Sequence, residues 1–334
     1  MKNFKIMFYS TLMAGTMISI SASSWLGMWL GLEINLLSII PLMITKKTIL
    51  SNESALKYFI TQAIASTIIL FSALLFMNKI MSNYDINQPL SMMIMDSALL
   101  IKMGAAPFHF WFPEVMEGLQ WMNCLIMLTW QKIAPMIILM YNMTNMVMIA
   151  LVIITSMAIS GIMGLNQTSL RKILTYSSIN HIGWMLSSMM FVQKIWMIYF
   201  TTYTLITINL VLMFSLTNAF SIKQMFTSMT SSNMKILFSL NFFSLGGLPP
   251  FLGFFPKWLT IQTLIENNML ILTFIMTIMT LLTLYFYMRI AFTAMLLVKN
   301  ENNWNLNLKM KTPSSLNLMI LNFITIAGLI IFTP

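Results

Sequence analysis

Ile64 to Met77 and Leu270 to Leu284 contain no charged residue and show no alternation of apolar with polar positions. A strand in a membrane barrel alternates over about ten residues, so runs of this kind read as helices. They recur along the chain. Residues 4–22, 24–44, 55–79, 91–112, 121–141, 145–164, 172–191, 194–219, 235–258, 268–297 and 316–332 each offer a crossing, about eleven in all at roughly 20 apolar residues per span. Thr45 to Glu53, Ser82 to Gln88 and the Asn-rich stretch from Asn300 to Ser315 interrupt them and read as water-side loops. Only 8% of the 334 residues are charged and 58% are hydrophobic, against roughly a quarter charged in a soluble domain. The expected fold is an all-α polytopic membrane protein with no sizeable water-facing domain.

The formal charge of +10 would point to nucleic acid in a soluble chain. Here the basic clusters are no longer than Lys46-Lys47, and the lysines sit in short loops or inside apolar runs. The excess reads as membrane flanking, with no nucleic-acid partner. A single cysteine, Cys124, excludes an internal disulfide and any zinc or iron–sulfur site built from several thiolates of this chain. No metal or cofactor of its own is expected. Neither G-x-G-x-x-G nor a P-loop occurs, which excludes the two familiar nucleotide cradles. Met1 to Ser24 has the outline of a signal peptide, but a second hydrophobic segment follows almost at once, so it reads as a retained first helix. The 37 methionines, and 16 lysines against 2 arginines, fit an AT-rich genome whose code gives methionine an extra codon, as many mitochondrial genomes do.

An internal repeat organises the chain. Gly104-Ala-Ala-Pro107-Phe108-His-Phe-Trp-Phe112-Pro113 and Gly247-Leu-Pro-Pro250-Phe251-Leu-Gly-Phe-Phe255-Pro256 share G-x-x-P-F-x-x-x-F-P without a gap, at an offset of 247 − 104 = 143 residues. No other Pro-Phe or Phe-Pro dipeptide exists in the chain. Proline removes a donor and clashes with the turn before it, and the freed carbonyls survive in a membrane only where protein or water satisfies them. Paired broken helices at matching places in two halves point to an ion path at the repeat; packing kinks are the plainer reading. Residues 1–145 form a first repeat, 146–297 a second, and 298–334 a polar loop with a last helix. Five crossings per half would make the repeats inverted.

Four charges fall inside apolar runs: Glu33 in Leu30-Gly-Leu-Glu33-Ile-Asn35, Lys102 before the first break, Lys132 in Trp130-Gln-Lys132-Ile-Ala-Pro135, and Lys257 just after the second break. Each costs roughly 2.5–3.5 kcal/mol at a helix centre on insertion scales, a burden that asks for a role. The competing reading is a lysine that snorkels to the headgroups. A buried lysine that gains and loses a charged neighbour can take up and release a proton. His181 shares a face with Ser177 and Ser188 at spacings of four and seven, and fits either a relay or a packed core histidine. A bis-histidine haem would need His181 together with His109, the one other histidine. Asp96, Glu114 and Glu117 lie near expected helix ends and read as interfacial. Lys57 with Thr61, and Tyr58 with Gln62, extend a polar path or face water.

Trp25-Leu-Gly-Met-Trp-Leu-Gly-Leu-Glu33-Ile-Asn-Leu-Leu-Ser, Lys102-Met-Gly-Ala-Ala-Pro-Phe-His-Phe-Trp, Gln131-Lys132-Ile-Ala-Pro, Tyr176-Ser-Ser-Ile-Asn-His181-Ile-Gly-Trp-Met and Ser244-Leu-Gly-Gly-Leu-Pro-Pro-Phe-Leu-Gly-Phe-Phe-Pro-Lys257-Trp together resemble the chain 2 family of mitochondrial NADH-ubiquinone oxidoreductase, respiratory complex I. The likeness runs over nearly the whole chain and is weakest in the first 20 residues and after Asn300. It implies an antiporter-like membrane-arm subunit in the mitochondrial inner membrane with two inverted five-helix repeats. It further implies that Glu33 pairs with Lys102, that Lys132 is the central relay lysine, and that Lys257 serves at the second broken helix with His181 in the same polar axis. FMN, iron–sulfur clusters and ubiquinone would belong to other subunits. The implied partners are membrane-arm and supernumerary subunits and lipids such as cardiolipin. A free-standing cation/proton antiporter shares the architecture and would differ in native size.

Overall fold

The computed structural model describes residues 2–44, 48–82, 88–143, 145–228 and 232–296; the expected last helix at 316–332 and the Asn-rich loop before it lie outside them. In chain order the helices are α1 (Lys2–Ser21), α2 (Trp25–Met43), α3 (Ile49–Ser82), α4 (Gln88–Met103), α5 (Trp111–Gly118), α6 (Trp121–Leu128), α7 (Trp130–Tyr141), α8 (Met146–Gly164), α9 (Leu170–Met189), α10 (Gln193–Thr217), α11 (Ile222–Ser228), α12 (Ser232–Gly246), α13 (Phe254–Glu266) and α14 (Leu270–Leu296). Every regular element among the described residues is helical; the one β-type pairing is an isolated bridge between Ser169 and Ser221.

Among the described residues, six segments are long and apolar enough to cross a membrane: Trp25–Met43, Ile49–Met77, Trp121–Tyr141, Met146–Gly164, Gln193–Thr217 and Leu270–Met295. Large apolar side chains stand outward on them, with Ile49 and Ile271 each 79% and Val147 77% exposed, a surface suited to hydrocarbon and costly in water. The helices that carry Lys102, His181 and Lys257 are not among the six. α4 and α13 are short, and α9 is buried on nearly all sides while carrying polar residues throughout.

The chain divides into two compact units that meet in sequence at Thr155 and Ser156, inside α8. In the first unit α1 and α2 cross tightly because their contact is made by small residues: a Cβ on Gly31 would lie 2.5 Å from Ser19 N, the close backbone approach typical of membrane helices. Ser24 caps α2 by accepting from Gly27 N at 3.2 Å. α3 runs 34 residues, about 50 Å and well beyond a hydrocarbon core of roughly 30 Å, where the apolar pattern alone predicts a shorter helix over 55–79. In the second unit Gly161 and Gly164 of α8 lie against Leu282 and Phe286 of α14.

Among the described residues, three expected crossings are interrupted. The segment 91–112 stops as a helix at Met103 and resumes at Trp111, and 235–258 stops at Gly246 and resumes at Phe254. In 121–141 the helix breaks at Thr129 (φ −116°, ψ −71°). Pro135, which has no N–H to donate, leaves the carbonyl of Gln131 without its usual helical partner, one residue before Lys132.

Candidate functional site

The two Gly/Pro segments end their helices by the same hydrogen bonds. Gly104 (φ +75°) and Gly247 (φ +74°) adopt the left-handed conformation that glycine enters without a Cβ penalty. Ala105 N donates to Leu100 O at 3.1 Å, and Leu248 N to Phe243 O at 3.2 Å, the six-to-one bond of a Schellman termination. A second turn follows in each, Phe108 N to Ala105 O and Phe251 N to Leu248 O, both at 2.9 Å. The Ala106–Pro107 and Pro249–Pro250 peptides are cis. All of these positions correspond at the 143-residue offset.

The side chains that donate to carbonyls at the two helix ends differ. At the first, Trp111 Nε1 donates to Ile101 O at 3.1 Å. At the second, Lys257 Nζ donates to Gly246 O at 2.7 Å, placing a cation against the negative end of the α12 dipole. Its ammonium also lies 5.9 Å from the Trp184 ring centroid. Lys257 is 7% exposed and does not reach the surface. At the same offset Lys257 corresponds to Glu114 (257 − 143 = 114), which is exposed and forms an ion pair with Lys57 at 2.6 Å.

In the first unit Lys102 (7% exposed) lies in the last turn of α4, and Lys132 (1% exposed) lies in the first turn of α7, 5.7 Å from the Phe112 ring centroid. Neither snorkels. Lys102 lines a cavity of about 10 Å³ with Asn35, Tyr58, Gln62 and Gln131, near the roughly 10–15 Å³ that one water needs. Gln131 Nε2 donates to Asn35 Oδ1 at 2.9 Å, and the Tyr58 hydroxyl donates to Gln131 Oε1 at 3.4 Å. Glu33 is half-buried and forms no ion pair with Lys102; the ion pair among the described residues is Lys57–Glu114.

In the second unit His181 (5% exposed) shares a 2.9 Å hydrogen bond between Nδ1 and the Tyr199 hydroxyl, with the Tyr203 ring 5.1 Å away. These three side chains and Ser244 border a cavity of about 10 Å³ beside the second helix break. Ser177 and Ser188 are buried, and each donates to its own helix, to Leu174 O and Met185 O.

Tyr58 and Gln62 prove to be buried at 3% each and face the Lys102 cavity, whereas Lys57 is exposed. Asp96 corrects an expectation: it is 0% exposed and accepts from Asn142 Nδ2 at 2.6 Å, because α4 starts three residues earlier than its apolar pattern suggests and the end of α7 folds against it. His109 is buried at 3% and its ring packs, tilted, against that of Phe110. No group of three or more His, Cys, Asp or Glu side chains suited to a metal occurs among the described residues.

Residues 22–283 match the family model for the transmembrane region of NADH:quinone oxidoreductases and Mrp antiporters, and 284–334 match that for the NADH dehydrogenase subunit 2 C-terminus. The chain is 49% identical over 329 residues to NADH-ubiquinone oxidoreductase chain 2 of Anopheles gambiae and 46% identical to that of Locusta migratoria, covering 98% of this chain and 96% of each relative. Among solved structures, a chain of respiratory complex I from Thermus thermophilus superposes with a TM-score of 0.86 at 22% identity, covering 98% of this chain and 78% of that one. A chain of the Mrp complex from Dietzia superposes at 0.75 and 17% identity, covering 86% and 60%. The fold is thus that of antiporter-like membrane subunits, and this multi-pass chain belongs to the NADH-ubiquinone oxidoreductase chain 2 family.

Proposed function

We propose that the chain is a membrane-arm subunit of NADH:ubiquinone oxidoreductase in the mitochondrial inner membrane, where it couples electron transfer in other subunits to proton translocation. The reading rests on family membership and on one observation above the rest: three lysines from apolar segments, Lys102, Lys132 and Lys257, are 7%, 1% and 7% exposed. Ionisable groups held inside a membrane are retained for charge or proton movement. Lys102 and Lys132, with Glu33 setting the local field, carry the proton in the first unit. Lys257 with His181 carries it in the second. Each transfer makes one N–H bond and breaks another, and no electron passes through this chain. FMN, the iron–sulfur clusters and ubiquinone belong to partner subunits, and other membrane-arm and supernumerary subunits and lipids such as cardiolipin cover the exposed apolar faces. The architecture that goes with this reading is two inverted five-helix repeats, 1–145 and 146–297, with an eleventh helix after them.

The test is the assembled complex carrying Lys132→Met, reconstituted in vesicles. NADH oxidation that continues with a lowered proton-to-electron ratio supports the reading; an undiminished ratio sinks it. Native electrophoresis of mildly solubilised membranes is the accompanying check. The chain should migrate with NADH dehydrogenase activity in one very large band, and migration alone would favour a free-standing antiporter.

A further inference from the structure

Asp96 lies six residues before Lys102 on α4, about 9 Å along the helix axis. It is 0% exposed, and Asn142, which follows the last turn of α7, is 1% exposed. Asn142 Nδ2 donates to Asp96 Oδ1 at 2.6 Å and to Met92 O at 3.2 Å. Asp96 Oδ2 and Asn142 Oδ1 are both buried, and neither has a hydrogen-bond partner among the described residues.

Buried polar oxygens are nearly always satisfied. An ionised carboxylate and an amide oxygen are both acceptors only, so an aspartate–asparagine pair holds no donor for either orphaned atom. A proton on Asp96 supplies one. A carboxylate held by one hydrogen bond and no cation is also costly to bury. The helices packed most closely against α4 are α3 and α7. α7 contributes Lys132, ten residues before Asn142, and Tyr141, which is 59% exposed; α3 carries Glu53, Lys57 and Lys79 in its sequence, with Lys57 committed to Glu114; α4 itself carries Lys102. None of the described ones forms an ion pair with Asp96.

We propose that Asp96, anchored by Asn142, is a proton-binding site of this chain, exchanging a proton on Oδ2 between the Lys102 end of α4 and its Gln88 end. The exchange makes and breaks a single O–H bond. Asn142 Nδ2 holds Oδ1 in both states, since carboxylate and carboxylic acid alike accept there. The proposal rests on the proton-translocating reading for what the proton is used for, and on the orphaned oxygens for its being there.

Infrared difference spectra of the assembled complex, stepped in pH in light and heavy water, test it directly. The expected result is a carboxylic-acid carbonyl band that shifts in heavy water, is lost in Asp96→Asn, and moves in Asn142→Leu because the anchoring N–H is gone. Asp96→Asn should also lower the proton-to-electron ratio of a complex that still assembles. Spectra of the native and Asp96→Asn complexes that superimpose across the pH range overturn the proposal. The two readings fail separately: an Asp96 band together with undiminished pumping in Lys132→Met keeps the site and removes the pump, and no band together with impaired Lys132→Met pumping does the reverse.

Discussion

Gln131 Nε2 donates to Asn35 Oδ1 across 2.9 Å, tying the residue before Lys132 to the residue two after Glu33. The bond fixes the relative register of α7 and α2 beside the Lys102 cavity. Gln131→Leu leaves the Asn35 oxygen and the Tyr58 hydroxyl without their partner, a cost of about 1–3 kcal/mol for each buried group. We expect less assembled complex on native gels and a lowered proton-to-electron ratio in what assembles. A variant with native yield and native ratio would show the network to be dispensable.

Alanine at the two left-handed glycines separates a backbone effect from a lysine effect. Gly104→Ala and Gly247→Ala share a cost of roughly 1–2 kcal/mol for placing a Cβ at positive φ. At Gly247 the new Cβ would also stand 2.8 Å from Lys257 Cδ and 2.9 Å from Nζ, whereas at Gly104 its nearest neighbours are aromatic carbons of Phe112 and Trp111 at 3.3 Å. Gly247→Ala should lose more pumping than Gly104→Ala at comparable assembly. Equal losses would argue that the position of Lys257 does not matter to transport.

Gly253 and Gly246 give a contrast in tolerance. A Cβ on Gly253 would overlap the backbone carbonyl oxygen of Ser244, while one on Gly246 meets the Tyr287 ring at an ordinary 3.5 Å. Backbone against backbone has no rotamer to relieve it, so Gly253→Ala should abolish accumulation of the complex in immunoblots and Gly246→Ala should not.

Tyr199→Phe removes the hydroxyl bonded to the buried His181 Nδ1 at 2.9 Å and nothing else, at about 1–3 kcal/mol. With His181 in the relay, the complex assembles and its proton-to-electron ratio falls, as it does in His181→Gln. A purely structural histidine would show the opposite pattern, lower abundance with an unchanged ratio. Abundance on native gels and proton uptake by vesicles, measured on the same preparation, decide between them.

The two helix breaks were legible in the sequence because Gly and Pro act on their own backbone. Gly104 and Gly247 announce a left-handed turn through local sterics alone. The buried lysines were legible because a charge inside an apolar run has few explanations. Contacts between distant segments were not: Gln131 meets Asn35 across 96 residues and Asn142 meets Asp96 across 46, and nothing in either neighbourhood names the other. Asp96 was placed at an interface from its distance to an expected helix end, and that end lay three residues earlier. The break at Thr129 had no local sign: Pro135 acts one turn upstream of itself, on the carbonyl of Gln131, which already lies past the break. The bond from Tyr199 to His181 follows from how α9 and α10 pack, which the uniformly mixed faces of α9 do not disclose.

The anchor of Lys257 on Gly246 O makes that lysine indifferent, in shape, to its own charge. A neutral amine keeps N–H groups to donate, so the carbonyl at the end of α12 stays satisfied whether or not the extra proton is present. In the relay proposed above, loss of the Lys257 proton would change the field along the axis of α12 while leaving a donor for Gly246 O. Trp111, which meets the corresponding end of α4 with an indole that does not titrate, confers the same steadiness without the option of changing charge. On that proposal one break is a fixed joint and the other a joint that doubles as an electrical contact.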